Sequence, residues 1–130
     1  MERVYSAQNV AAHIIYELQE TNVLVNQKAI QSVLAEIANM WQKVFGHSPF
    51  KEATHDLSVT GYTVQEVYED YKQYGNRMIQ EPAKEWFLQY GEFQLIQRTY
   101  GVPAFTALEK KIIQSVLRLY ASRQALRKAS

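Results

Sequence analysis

Apolar residues recur at intervals of three and four along most of this chain, and the runs predict helices with defined starts and stops. In the first run Ala11, Ile14, Ile15 and Leu18 share one face. Ser6 stands as its N-cap, with Tyr5 and Val10 spaced as a hydrophobic staple, so the pattern predicts a helix over 7–20. Thr21 and Asn22 break it, and Val23 and Val25, apolar on alternate positions, predict an extended connection that tucks in. Asn26 then caps a second helix whose face is Ile30, Val33, Leu34, Ile37, Trp41, Val44 and Phe45. This is the longest clean apolar stripe, so it predicts the central helix, with Trp41 as a buried anchor. Gly46 ends it and Pro49 prevents a restart.

Between Phe50 and Thr60 the period changes. Leu57 and Val59 alternate with polar residues, which predicts a short β element near 56–60. The stretch TGYTVQEVYEDYKQYG, 60–75, is the most fully punctuated in the chain. Thr63 and Glu66 have the spacing of a capping box, and Tyr62 and Val67 that of a staple. Val64, Val67, Tyr68 and Tyr71 form the apolar face, and Gly75 closes the helix. Pro82 suits the first turn of a further helix carrying Trp86, Phe87 and Tyr90, broken or bent at Gly91 before Phe93, Leu95 and Ile96. Tyr100, Gly101 and Pro103 mark a stop. Thr106 and Glu109 repeat the capping box and open a last helix, buried along Leu108, Ile112, Val116 and Leu119 and interrupted near Ser122. The fold class that follows is mainly α, a compact multi-helix single domain over 1–130, with a short β element near 56–60.

Composition adds limits. The chain has 130 residues, no cysteine and a net charge of +1. Its length suits one domain. Without cysteine there is neither a disulfide, nor a thiolate metal site, nor a thiol nucleophile. The opening residues lack the basic-then-apolar pattern of a signal peptide. No apolar run approaches the roughly 20 residues of a membrane span. These features imply a soluble cytoplasmic protein that makes no use of a membrane. Charge is unevenly placed: from Thr106 onward Lys110, Lys111, Arg118, Arg123, Arg127 and Lys128 stand against Glu109 alone. A basic final helix can meet an anionic partner, and equally it can complement its own dipole.

Candidate chemistry is sparse. His13, His47 and His55 form no metal-binding motif, although His13 and Glu17 share a helix face. His55–Asp56 has the form of a base and its orienter but lacks an accompanying nucleophile. No glycine-rich phosphate loop is present. The residues imply no catalytic, cofactor or metal site.

Several segments resemble the Panacea domain, also called the SocA-like or GepA phage-associated domain. YSAQNVAAHIIYEL is similar to that family's opening helix, and IQSVLAEIANMWQKVFGHSPF to its second. ALEKKIIQSVLRLYASRQAL is similar to its closing helix. In 60–75 the positions that match are Gly61, Val64, Glu66, Val67, Tyr68, Tyr74 and Gly75. The chain departs from the pattern at Tyr62, where the family has proline, and at Ser32 and Ala35, where it has lysine and tyrosine. The resemblance implies a non-catalytic antitoxin-like module, phage or prophage encoded, that masks a protein partner, either a toxin or a host or phage factor. Members also include a proteolytic adaptor. The partner-binding residues expected here are Tyr62, Tyr68, Tyr71 and Tyr74, with Arg123 and Arg127 of the basic helix. The alternatives are a nucleic-acid-binding regulator using that helix and a phage structural or assembly factor.

Overall fold

The computed structural model describes residues 3–89, 94–101 and 103–129. The chain is mainly helical. Helices α1 (Ala7–Glu20), α2 (Gln27–Phe45), α3 (Leu57–Thr60) and α4 (Gln65–Tyr71) come first, and a 3₁₀ turn, Lys72–Tyr74, extends α4. Strands β1 (Lys84–Gln89) and β2 (Gln94–Thr99) follow, then α5 (Ala107–Ala129). Helix α2 is central, packing against α1, α3, α4 and α5. Its stripe of Ile30, Val33, Leu34, Ile37 and Trp41 is buried, together with Ile14 and Ile15 of α1, Val67 and Tyr71 of α4, and Ile112, Ile113 and Val116 of α5.

The first two helices begin and end as their residues dictate. The Ser6 hydroxyl accepts from the Asn9 amide, and Glu52 takes the Ala7 amide at 2.8 Å, so two oxygens serve α1's orphan donors. Asn26 takes the Ala29 amide at 2.9 Å, and Gly46 closes α2 with φ 80°. Val25 is buried, and its carbonyl accepts from the Ile79 amide at 2.8 Å.

At the front of the molecule Tyr5 ties three segments together. Its amide donates to the Pro49 carbonyl and its carbonyl accepts from the Lys51 amide. Its ring packs edge-on against Trp41 at 6.2 Å and Phe105 at 4.9 Å. Its hydroxyl donates to Glu109 at 2.6 Å. Glu109 itself completes the capping box read from the sequence: its carboxylate accepts from the Thr106 amide, and the Thr106 hydroxyl accepts from the Glu109 amide. One buried carboxylate thus starts α5 and fastens it to the extended residue Tyr5 ahead of α1. Burial, and then the Glu109 carboxylate, push the Tyr5 phenol up to about 12.

Four expectations are corrected. Residues 57–60 are a helical turn rather than a β element. Asp56 accepts from the Ser58 amide and hydroxyl at its start, and Gly61, φ 85°, closes it five residues later. A cap and a left-handed glycine outweigh two alternating apolar residues. The β structure lies instead at 84–99, where a helix was expected: β1 and β2 are antiparallel, with Phe87 opposite Ile96 and Leu88 opposite Leu95. Aromatic and β-branched residues on either side of a glycine are as good a hairpin pattern as a broken helix. Residues 90–93, including Gly91, lie outside the described residues. Thr63 does not cap α4, for a reason given below. Finally, α5 continues unbroken past Ser122, and Leu108 and Leu119 are half exposed rather than buried.

Candidate interaction surface

The 54–75 segment is built onto α2 by two glutamines one turn apart. Gln31 is fully buried. Its carbonyl oxygen accepts from the amides of Thr63 at 2.6 Å and Val64 at 3.0 Å, and its amide group donates to the Val64 carbonyl at 3.2 Å. The Thr63 hydroxyl donates to the Gln31 backbone carbonyl at 2.8 Å. That bond explains the failed capping box. The hydroxyl is directed into α2, so α4 starts two residues later at Gln65, with Val64 in the cap position and no side-chain cap. One turn earlier, Gln27 donates to the Tyr68 carbonyl at 2.9 Å. Gln27 and Gln31 together act as a pair of side-chain clips on the start and the middle of α4.

This fixed segment presents a cluster of rings. Thr60 donates to the Tyr62 carbonyl at 2.7 Å, and the His55 amide donates to the Thr63 carbonyl at 2.8 Å, which closes the loop around α3. The Tyr62 ring lies 5.7 Å from that of Tyr68 and meets His55 edge-on at 5.3 Å. His55 and Tyr68 are exposed and Tyr62 is half-buried. In α3 of the same segment Val59 projects with 79% of its surface open, the most exposed large apolar residue among those described. A cleft of about 730 Å³ runs next to the cluster, with Gln27, Lys28, Leu57, Tyr68 and Lys72 in its wall.

The six residues expected to bind a partner are not brought together. Tyr62, half-buried, and Tyr68, exposed, form the ring pair just described. Tyr71 is buried, and its hydroxyl accepts from the Ala83 amide at 3.0 Å. Its place on the same face as Val64 and Val67 directs the ring into the core, so it is no surface contact, and burial raises its ionisation far above the usual phenol range. Tyr74 is half-buried beside Tyr71, on a different cleft of about 370 Å³ with Glu69, Asp70 and Glu81. Arg123 pairs with Glu36 at 2.8 Å in a third cleft, between α2 and α5. The side chain of Arg127 lies outside the described residues.

The histidines occupy three separate places. His13 is half-buried against the Phe105 ring at 5.8 Å, in a cleft of about 510 Å³ that also holds Glu17 and Lys110. Burial lowers its titration point, with Glu17 opposing. His47 Nδ1 contacts the Ser48 carbonyl at 2.8 Å. Among the described residues no three His, Asp or Glu side chains stand close enough to hold a metal ion together. No helix among them is long and apolar enough to cross a membrane. No family model, curated protein or solved structure matches the chain.

The sequence pattern offers Tyr62 and Tyr68 as candidates but does not show His55 as their ring neighbour, nor the glutamine clips. The available signal for the clips was Gln31 at the centre of an apolar helix face. A polar residue buried there needs a partner.

Proposed function

We propose that this chain is a protein-binding module that masks a partner protein, in the manner of an antitoxin. The observation that carries the reading is the His55–Tyr62–Tyr68 ring cluster, with His55 and Tyr68 exposed and Val59 open on the same segment, whose backbone is clipped to the core. Tyrosine is enriched at protein interfaces because it offers a large rigid apolar body and a polar tip at small cost in side-chain freedom. A preordered backbone adds to this, since less entropy is lost on association. The resemblance of residues 60–75 to the Panacea domain supports the antitoxin-like form, and the partner is then a toxin or a host or phage protein. The surface comprises His55, Val59, Tyr62 and Tyr68.

Affinity capture from cells that encode the protein tests this. Wild type is expected to retain a stoichiometric protein partner that a Tyr62→Ala/Tyr68→Ala variant of unchanged fold releases. Equal capture by both would reject the surface.

A further inference from the structure

A second face, on the other side of α2, carries its own recognition chemistry. Along α5, Leu108, Leu119 and Leu126 are separated by eleven and seven residues, which places them within about 20° of one line on the helix. All three are open to solvent, at 50%, 48% and 71%. The line is about 27 Å long at the helical rise per residue. Helix α5 runs back along α2: its first turn is fastened to Tyr5 beside Trp41, and Arg123 reaches Glu36. Two more exposed apolar residues, Met40 at 38% and Val44 at 49%, lie in the last two turns of α2.

The charges around this ridge have one sign. Lys111 and Arg118 fall on the outer flank of the leucine line, about 60–80° from it by the helical repeat, and both are exposed. Lys43 of α2 is exposed as well. The carboxylates of this region are already engaged, Glu109 by Thr106 and Tyr5, and Glu36 by Arg123.

We propose that this ridge docks an amphipathic helix of another protein, one with leucine-like residues along its seam and Asp or Glu on its flank. Charge selects this occupant over a second copy of the chain. An antiparallel pair of α5 helices matching Leu108 to Leu126 has its two-fold axis beside Leu117, which brings the two Arg118 guanidinium groups together. Like charges so placed suppress that pairing, whereas carboxylates opposite Lys111 and Arg118 favour encounter and fix register. Apolar anchors at helical spacing are the usual means by which one helix reads another. This goes beyond the masking reading and uses different residues.

The probe is a labelled synthetic helix of about 20 residues, long enough to span the line, with leucines at heptad spacing and glutamates on the flank. A twin peptide carries lysines instead. Fluorescence anisotropy with the full chain is expected to show saturable binding of the acidic peptide and none of the basic twin. Leu119→Asp is expected to weaken it at least about tenfold, and so is Lys111→Glu/Arg118→Glu, each tenfold being a loss of about 1.4 kcal/mol. Tyr62→Ala/Tyr68→Ala should leave it unchanged, so this proposal and the masking surface fail separately. The Lys111→Glu/Arg118→Glu pair lies wholly on the surface, and it decides the matter should Leu119→Asp fail to fold. Absence of binding, equal binding of both peptides, or binding indifferent to Lys111→Glu/Arg118→Glu would each overturn the proposal. So would a solution dimer that Leu119→Asp dissociates, or a preference for duplex DNA or anionic vesicles over the acidic peptide.

Discussion

Replacing Gln31 with leucine tests how the candidate surface is held. The two side chains are close in size, so the core stays filled, yet every side-chain bond of Gln31 is lost. Two buried backbone amides are then orphaned, those of Thr63 and Val64, while the Val64 carbonyl loses one of its two donors and keeps the Tyr68 amide. Neither residue reaches solvent, at 3% and 0% exposure. An unsatisfied buried group costs about 1–3 kcal/mol, and the two share one region that can partly relax, so the expected loss is about 2–5 kcal/mol. Against a total of about 5–15 kcal/mol for a domain, that is a large fraction. In urea the midpoint should fall by roughly 2 M at an ordinary denaturant slope. Amide exchange should quicken first at Thr63, Val64 and Tyr68, whose bonds start α4, before Val33 or Leu34 in α2. Gln31→Glu separates hydrogen bonding from size: it keeps the acceptor, loses the donor and buries a charge, so it should be unstable near neutrality and recover as acid protonates it. A Gln31→Leu protein within about 1 kcal/mol of wild type would refute the clip.

Three further outcomes follow from individual side chains. Asp70 is half-buried with Gln8 and Tyr100 as donors, and burial raises its titration point, so the folded state holds its proton more tightly than the unfolded chain does. Stability on its account falls as pH rises through the carboxyl range, and Asp70→Asn should melt higher than wild type at pH 7, with the difference vanishing in acid. His13 has the opposite sense: burial lowers its titration point, so stability is lost as pH falls below the unfolded value of about 6.5, and His13→Gln should flatten the melting profile between about pH 5 and 7. Tyr5→Phe removes the donor to Glu109 and should cost roughly 1–2 kcal/mol in urea unfolding. Because the folded Tyr5 phenol titrates near 12, wild type should also lose stability as pH climbs above about 10, a loss that Tyr5→Phe abolishes.

The helices were legible where local signals acted without competition. Ser6, Asn26, Gly46 and the Thr106–Glu109 pair all sit where their residue types place them, because their partners lie within one turn of chain. Reading failed where a distant group entered. Thr63 has the right neighbours for a capping box, but Gln31, thirty-two residues away, takes its amide and hydroxyl. Tyr71 and Tyr68 look alike in sequence. The turn of α4 against α2 buries one and leaves the other beside Tyr62. The buried faces of α5 and α2 are narrower than their apolar stripes, because a periodic stripe does not reveal how much of it a neighbouring helix covers. Leu119 and Val44 belong to their stripes and still meet solvent. The hairpin at 84–99 was misread because aromatic clusters serve both periods over short lengths.

Site-specific photocrosslinking tests the central claim most directly. A benzoylphenylalanine placed at Val59, open to solvent three residues before Tyr62, should form a defined adduct with the masked protein in cells. The same residue placed at Tyr16, an exposed site on α1, should form none. Adducts at Tyr16 with none at Val59, or equal adducts at both, would contradict the account.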